Sequence, residues 1–469
     1  MIMPKEKPSQ AEQTLLKGCF FIQPSAEQEG VHGQDILIQG NLIARVGKGI
    51  TAAPGARVID CSRHVVVPGF VNTHHHFFQT LTRNLPAVQN AKLFDWLVYL
   101  YEVWKNIDEE AIYLSSLLAM GELLKTGCTC STDHLYLYPR GAGDFVSRQF
   151  EAAEKVGMRF SPSRGSMSLS RKDGGLPPDS VVQDPDTILA DSERVIRRFH
   201  DPDPLSMRKL VLAPCSPFSV TEELMRESAR LARRHGVRLH THLAETADEN
   251  QYCLEKYGVR PVTLMERSEF IGPDVFYAHG IFFNDEELGV LRRAGAQVAH
   301  CPSSNMRLAS GICRVRDMLD MGIPVSLAVD GSASNDSSDF LGELRHALLL
   351  QRVARGSGAL TAREVLRMAT ETGARVLGFD GIGRIQPGFA ADLALFDVDR
   401  LEYAGSLSDP FAALVFAGYN HGTDYTICNG KVVVDRGRLT GVDERQLTLD
   451  ANRVAAALLG AALDARPAR

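Results

Sequence analysis

A chain of 469 residues, 44% hydrophobic and 23% charged, has an ordinary globular composition and is long enough for one enzyme-sized domain with a smaller companion. Lysine and arginine number 51 against 57 acidic residues; the resulting charge of −6 is spread without long single-sign runs, which argues against a nucleic-acid surface. The nine cysteines form no C-x-x-C pair and read as reduced thiols, while "MIMPKEKPSQAEQ" has no apolar export segment and no 18 apolar residues run together, so the expectation is a cytoplasmic protein without membrane contact.

Residues 14–64 give short strands with turns, in "TLLKGCFFI", "DILIQGNLIARVG" and "ARVIDCS". From 64 to 331 eight β-rich runs alternate with helical stretches. They span 64–76, 127–134, 157–165, 209–218, 238–245, 275–280, 297–302 and 325–331. Two of the intervening helices carry clear end signals: Thr221 as N-cap with Gly236 as stop, and Asn284 as the cap of "NDEELGVLRRAG". Eight strand-helix units predict an α/β fold, a (β/α)8 barrel over residues 64–383. Residues 1–63 and 384–469 are β-rich flanks expected to meet as one small β-sandwich, with Asn429-Gly430 as a hairpin turn and a terminal amphipathic helix packed on the body.

Most runs are apolar first and polar at their C-terminal end, the catalytic face of such a barrel. In "VVVPGFVNTHHHFFQT", His74 and His76 lie two apart and share one side of a strand, whereas His75 points to the other and reads as packing. "HTHLAET" repeats the pair with His240 and His242 and adds Glu245. Later run ends contribute His279, His300, Asp330 and Asp336. So many ligand-type side chains on one rim predict a metal site, with zinc expected and iron(II) or manganese compatible. There is no H-E-x-x-H and no H-x-E with P-C-x-x-C, and Lys209, the only lysine of the fourth run, sits at its far end, which favours one metal over a lysine-bridged pair.

"PGFVNTHHHF", "HTHLAET", "YAHG", "HCPSSN" and "VDGSASND" together resemble the amidohydrolase superfamily, in its chlorohydrolase and aminohydrolase branch acting on guanine-like, pterin-like and triazine rings, over about residues 14–440. The resemblance implies zinc on His74, His76, His242 and Asp330, with Glu245 as proton shuttle and His279 polarising the reacting centre; Asp330 also takes the proton of the attacking water. Within the branch, "HHHFFQTLTRNLPAVQNAKLFDWLVYLYEVW" and "HCPSSNMRLASG" are most similar to bacterial 8-oxoguanine deaminases, which implies hydrolysis of a purine-like small molecule by a homo-oligomer. Guanine, isoxanthopterin and hydroxyatrazine-type rings are the alternatives. Gln79, His134 and Arg164 are the candidate ring-binding residues, Trp96 and Trp104 a candidate hydrophobic cover, and residues 166–180 the candidate lid loop.

Overall fold

The computed structural model describes residues 13–417 and 422–464. All but the last residue of the stretch read for an export signal, and the last five residues of the terminal helical segment, lie outside these. Eight parallel strands form the central sheet: β1 (Phe70–Asn72), β2 (Cys128–Leu135), β3 (Arg159–Ser166), β4 (Val211–Pro214), β5 (Arg238–Leu243), β6 (Val275–His279), β7 (Gln297–His300) and β8 (Val325–Leu327). Each pairs with its sequence neighbours. The ends of the sheet meet through Thr73, whose N–H donates to Leu327 O at 3.3 Å and whose hydroxyl lies 2.8 Å from that of Ser326. One turn on, Asp330 N donates to His74 O at 3.1 Å, so the closing seam carries two residues of the histidine-rich rim.

Local chemistry sets the helices as the sequence predicts. Thr221 accepts from Leu224 N and Gly236 ends Glu222–His235 in the left-handed conformation. Asn284 forms a full capping box with Glu287 over Asp285–Ala294. No helix among the described residues is long and apolar enough to cross a membrane. All nine cysteines are buried free thiols.

The flanks do meet as two packed sheets. One holds four N-terminal strands; the other is mixed, combining Phe21–Ile22 and His64–Pro68 with C-terminal strands. Leu16, Ile36 and Ile59 of the first share a core with Val66, Leu393 and Ile427 of the second. The Asn429-Gly430 turn forms with both residues at positive φ. A Cβ on Gly430 would fall 2.0 Å from Gly40 O, so the C-terminal hairpin lies directly against an N-terminal turn.

The run 64–76 is divided where the sequence reads it as one strand. His64–Pro68 pairs antiparallel with Leu393–Asp397 in the sandwich, and the barrel begins only at Phe70. Gly69 makes the transfer: a Cβ there would sit 2.2 Å from Thr129 Oγ1, and its N–H donates to Asp392 O.

The same junction is tied by a buried ion pair. Arg159 at the start of β3 places Nε 3.0 Å from Asp392 Oδ2, and Asp392 Oδ1 also accepts from Asn429 N at 2.6 Å. Neither side chain is more than 1% exposed. Removing one partner strands a charge in the interior, so Asp392→Ala is expected to lose about 3–5 kcal/mol in urea unfolding; a loss under about 1 kcal/mol would show the junction independent of the pair.

Candidate active site

Three imidazoles meet at the C-terminal rim with their outer nitrogens tied down. His76 Nδ1 donates to His134 O at 2.8 Å and His242 Nδ1 to Cys215 O at 2.7 Å. His240 Nδ1 donates to Phe276 O at 2.8 Å, which leaves its Nε2 to accept from His74 Nδ1 at 2.7 Å. Each of His74, His76 and His242 therefore turns an unprotonated Nε2 inward. Those of His76 and His242 lie 3.1 Å apart, and that of His74 is buried without a hydrogen-bond partner. Asp330 Oδ1 is 3.2 Å from His74 Nε2 and 3.4 Å from His76 Nε2.

Burial keeps these rings neutral: it brings His76 down to about 3 and lowers His74 and His242 as well. For Asp330 burial works toward protonation, but the imidazoles of His74, His279 and His76 beside it outweigh that and hold its carboxyl well below the usual range. Lone pairs facing one another across 3 Å, with a carboxylate alongside, demand a cation, and a His/His/His/Asp set fits zinc. Two overlapping ligand groupings occur: His74, His76, His134 and His242, and His74, His279, Cys301 and Asp330. His134 spends Nε2 on Ala213 O at 3.0 Å, and burial keeps Cys301 a thiol, which leaves His74, His76, His242 and Asp330 as the better donors.

Beside this cluster Glu245 Oε2 lies 3.6 Å from His279 Nε2, and Asp330 Oδ2 lies 3.9 Å from the same nitrogen. Burial pushes Glu245 up to about 7, within reach of gaining and losing a proton at neutral pH. Burial alone would lower His279, but the charges of Glu245 and Asp330 outweigh it and its pKa is raised; Nδ1 donates to Asn305 Oδ1 at 3.0 Å. Ala244, His279 and Asp330 all have positive φ, a conformation costly for non-glycine residues and concentrated here at the strand ends that aim the side chains. Glu249 secures one of these turns, accepting from Ala244 N at 2.7 Å and Glu245 N at 3.0 Å.

A cavity with about 400 Å³ of space free of protein atoms, partly open to solvent, lies above the cluster. His76, His242, Glu245, His279 and Asp330 form its polar side; Leu93, Trp96, Leu97 and Tyr101 of the helix Leu93–Trp104 form its apolar one. Gln79 borders it, with Oε1 accepting from Ala333 N at 3.3 Å, an approach possible because Gly331 has no Cβ.

Two candidate ring-binding residues are not brought to this cavity. His134 lies beneath it, stacked on the His242 ring at 4.7 Å. Arg164 turns away: Nε donates to Asp191 at 2.6 Å, Nη2 to Gln183 at 2.8 Å, and the guanidinium covers the Tyr138 ring. No residue of the expected lid 166–180 lines the cavity; the helix 93–104 covers it instead. Of the two tryptophans Trp96 is at the cavity, while Trp104 donates to Thr82 Oγ1 in the core. Sequence reasoning missed Glu249 and Asn305, which hold the backbone of Glu245 and the ring of His279, and counted His240 among the ligand-type side chains of the rim, where it supports His74. The i+4 spacing of Glu249 from Glu245 was the available signal.

A barrel whose strand ends gather three histidines, a buried aspartate and a buried glutamate around one cavity carries the site of a metal-dependent hydrolase. Residues 65–433 match the amidohydrolase family, to which the chain belongs. It is 47% identical to 8-oxoguanine deaminase of Pseudomonas aeruginosa over 90% of this chain and 94% of the relative. With hydroxydechloroatrazine ethylaminohydrolase of Pseudomonas sp. it shares 39% over 90% and 91%. The structure of a zinc complex of atrazine chlorohydrolase from Arthrobacter aurescens superposes with a TM-score of 0.90 at 29% identity, covering 94% of this chain and all of that one. The protein is a metal-dependent hydrolase of the amidohydrolase and deaminase type, acting on C–N bonds in cyclic substrates.

His75 faces away from the cluster, its Nε2 3.0 Å from Ser338 Oγ and its Nδ1 accepting from His76 N. His75→Asn is therefore expected to keep about one zinc per chain with a lowered Tm, whereas His242→Ala loses the metal. Metal analysis by emission spectroscopy checks both; a folded His75→Asn protein without zinc would refute the division.

Proposed function

We propose that the protein is a zinc-dependent hydrolytic deaminase converting 8-oxoguanine and water to urate and ammonia. The 47% identity along nine-tenths of the chain to a deaminase of that ring carries the choice of substrate. In this reading His74, His76, His242 and Asp330 hold zinc. When bound there, zinc supplies hydroxide at neutral pH by acidifying water.

The remaining work belongs to the chain. Asp330 accepts the proton of the attacking water, and its low pKa keeps it ionised for that role. Glu245, poised near 7, protonates the ring nitrogen beside the attacked carbon and draws electrons from that carbon; it then takes the proton of the added hydroxyl as the carbonyl forms, delivers it to the amine as the C–N bond breaks, and is reset by the proton held on Asp330. His279, held by Asn305 and with its pKa raised by its acidic neighbours, stabilises oxygen charge as it develops. Gln79 is the one sequence-derived ring contact that borders the cavity, with its amide at hand for a purine edge.

A second reading rests on the 39% identity to an ethylaminohydrolase acting on a triazine. Comparing kcat/KM on 8-oxoguanine, guanine, isoxanthopterin and hydroxyatrazine decides between them: 8-oxoguanine is expected to lead by at least about tenfold. Glu245→Gln is expected to retain metal and lose about 10²–10⁴ in kcat. Full turnover in that variant would refute the proton route.

A further inference from the structure

Buried polar side chains normally find partners, and some aromatic ones here do, whereas the Tyr138 hydroxyl, away from the active-site cavity, does not. Trp104 donates Nε1 to Thr82 Oγ1 at 3.1 Å, and the Tyr277 hydroxyl donates to Phe270 O at 2.6 Å. Trp96 and Tyr101 do not: Trp96 Nε1 and Tyr101 Oη are buried without any hydrogen-bond partner, on side chains 2% and 0% exposed. Both residues line the active-site cavity, and they share one face of the helix Leu93–Trp104 with Leu93 and Leu97. An unpaired buried donor is destabilising, and its recurrence at two neighbouring positions on a cavity wall points to a partner that arrives with the ligand.

The chemistry of that partner follows from the atoms. An indole N–H can only donate. Burial raises Tyr101 well above the ordinary phenol range, so it too presents an O–H at neutral pH. Gln79 Oε1, an acceptor bordering the same cavity, is already engaged by Ala333 N. Neither donor is met by an acceptor of the protein.

We infer that Trp96 Nε1 and Tyr101 Oη select the substrate by donating hydrogen bonds to acceptor atoms of the ring, foremost the C8 oxo oxygen of 8-oxoguanine. The inference rests on the proposed aminohydrolase reading. It makes 8-oxoguanine, with a C8 oxygen, a better substrate than guanine, which lacks it.

Trp96→Phe and Tyr101→Phe remove each donor and keep an aromatic ring. With zinc-loaded full-length protein, each is expected to lower kcat/KM for 8-oxoguanine by about 10- to 100-fold and that for guanine by less than about threefold, with zinc content and Tm unchanged. Equal losses on both rings, no loss, or a Tm drop that marks the donors as structural would overturn the inference while leaving the proposed reaction in place. If the wild-type enzyme turns over another ring of the panel but not 8-oxoguanine, the proposed substrate fails, and the variants are read on that ring: a tenfold loss at unchanged Tm upholds the donors and no loss overturns them. If no ring is turned over, calorimetric binding of 8-oxoguanine to the wild type and both variants replaces kcat/KM, weaker binding by the variants upholding the donors; absence of binding to the wild type overturns both readings.

Discussion

The structure turns on a repulsion that only a cation relieves. His76 and His242 point Nε2 lone pairs at each other across 3.1 Å, because each has committed its Nδ1 proton to a main-chain carbonyl. Rotating either ring away would break that commitment in a region where burial leaves no water to replace it. The carbonyls in turn come from the β2 end and the residue after β4, so the metal-ready arrangement depends on strand register as much as on the histidines. His240 extends the same logic by one layer, linking His74 to a carbonyl of β6. Positive φ at Ala244, His279 and Asp330 is tolerated because this scaffold over-determines the backbone around them.

The polar and apolar sides of the cavity are built on different parts of the fold. The acids and histidines come from strand ends, which cannot move without disturbing the barrel. The opposing wall comes from one inserted helix, whose Leu93, Trp96, Leu97 and Tyr101 can vary without touching the metal ligands. That separation suits a family in which similar chains carry different substrate names, from a purine to a chlorinated triazine.

Sequence spacing reveals whatever depends on local geometry. The two-residue interval of His74 and His76, the caps at Thr221 and Asn284, and the Asn429-Gly430 turn are fixed by strand, helix and turn periodicity, and each appears where the chain spells it. Arg164 was misleading because its partners Asp191 and Gln183 lie on a later segment, and nothing in "SPSRG" announces that the guanidinium is already satisfied. The division at Gly69 is hidden for a similar reason, since the β-branched run before it suits either sheet. Trp96 and Trp104 have the same spelling and opposite situations, and only the presence of Thr82 beside one indole tells them apart. Spacing alone does not separate cover from core along the 93–104 helix, because an apolar stripe facing a cavity has the periodicity of one facing a packed interior.

The pairing of His64–Pro68 with Leu393–Asp397 joins segments more than three hundred residues apart, and the strand immediately following the first of them opens the barrel. A growing chain thus releases His64–Pro68 with Phe21–Ile22 at one edge, long before Leu393–Asp397 exists to pair with the other. That second edge is covered only when about 85% of the polypeptide has been made. The strand leading to His74 and His76 therefore depends on a distant, late-synthesised segment, a pairing with a high cost of loop closure.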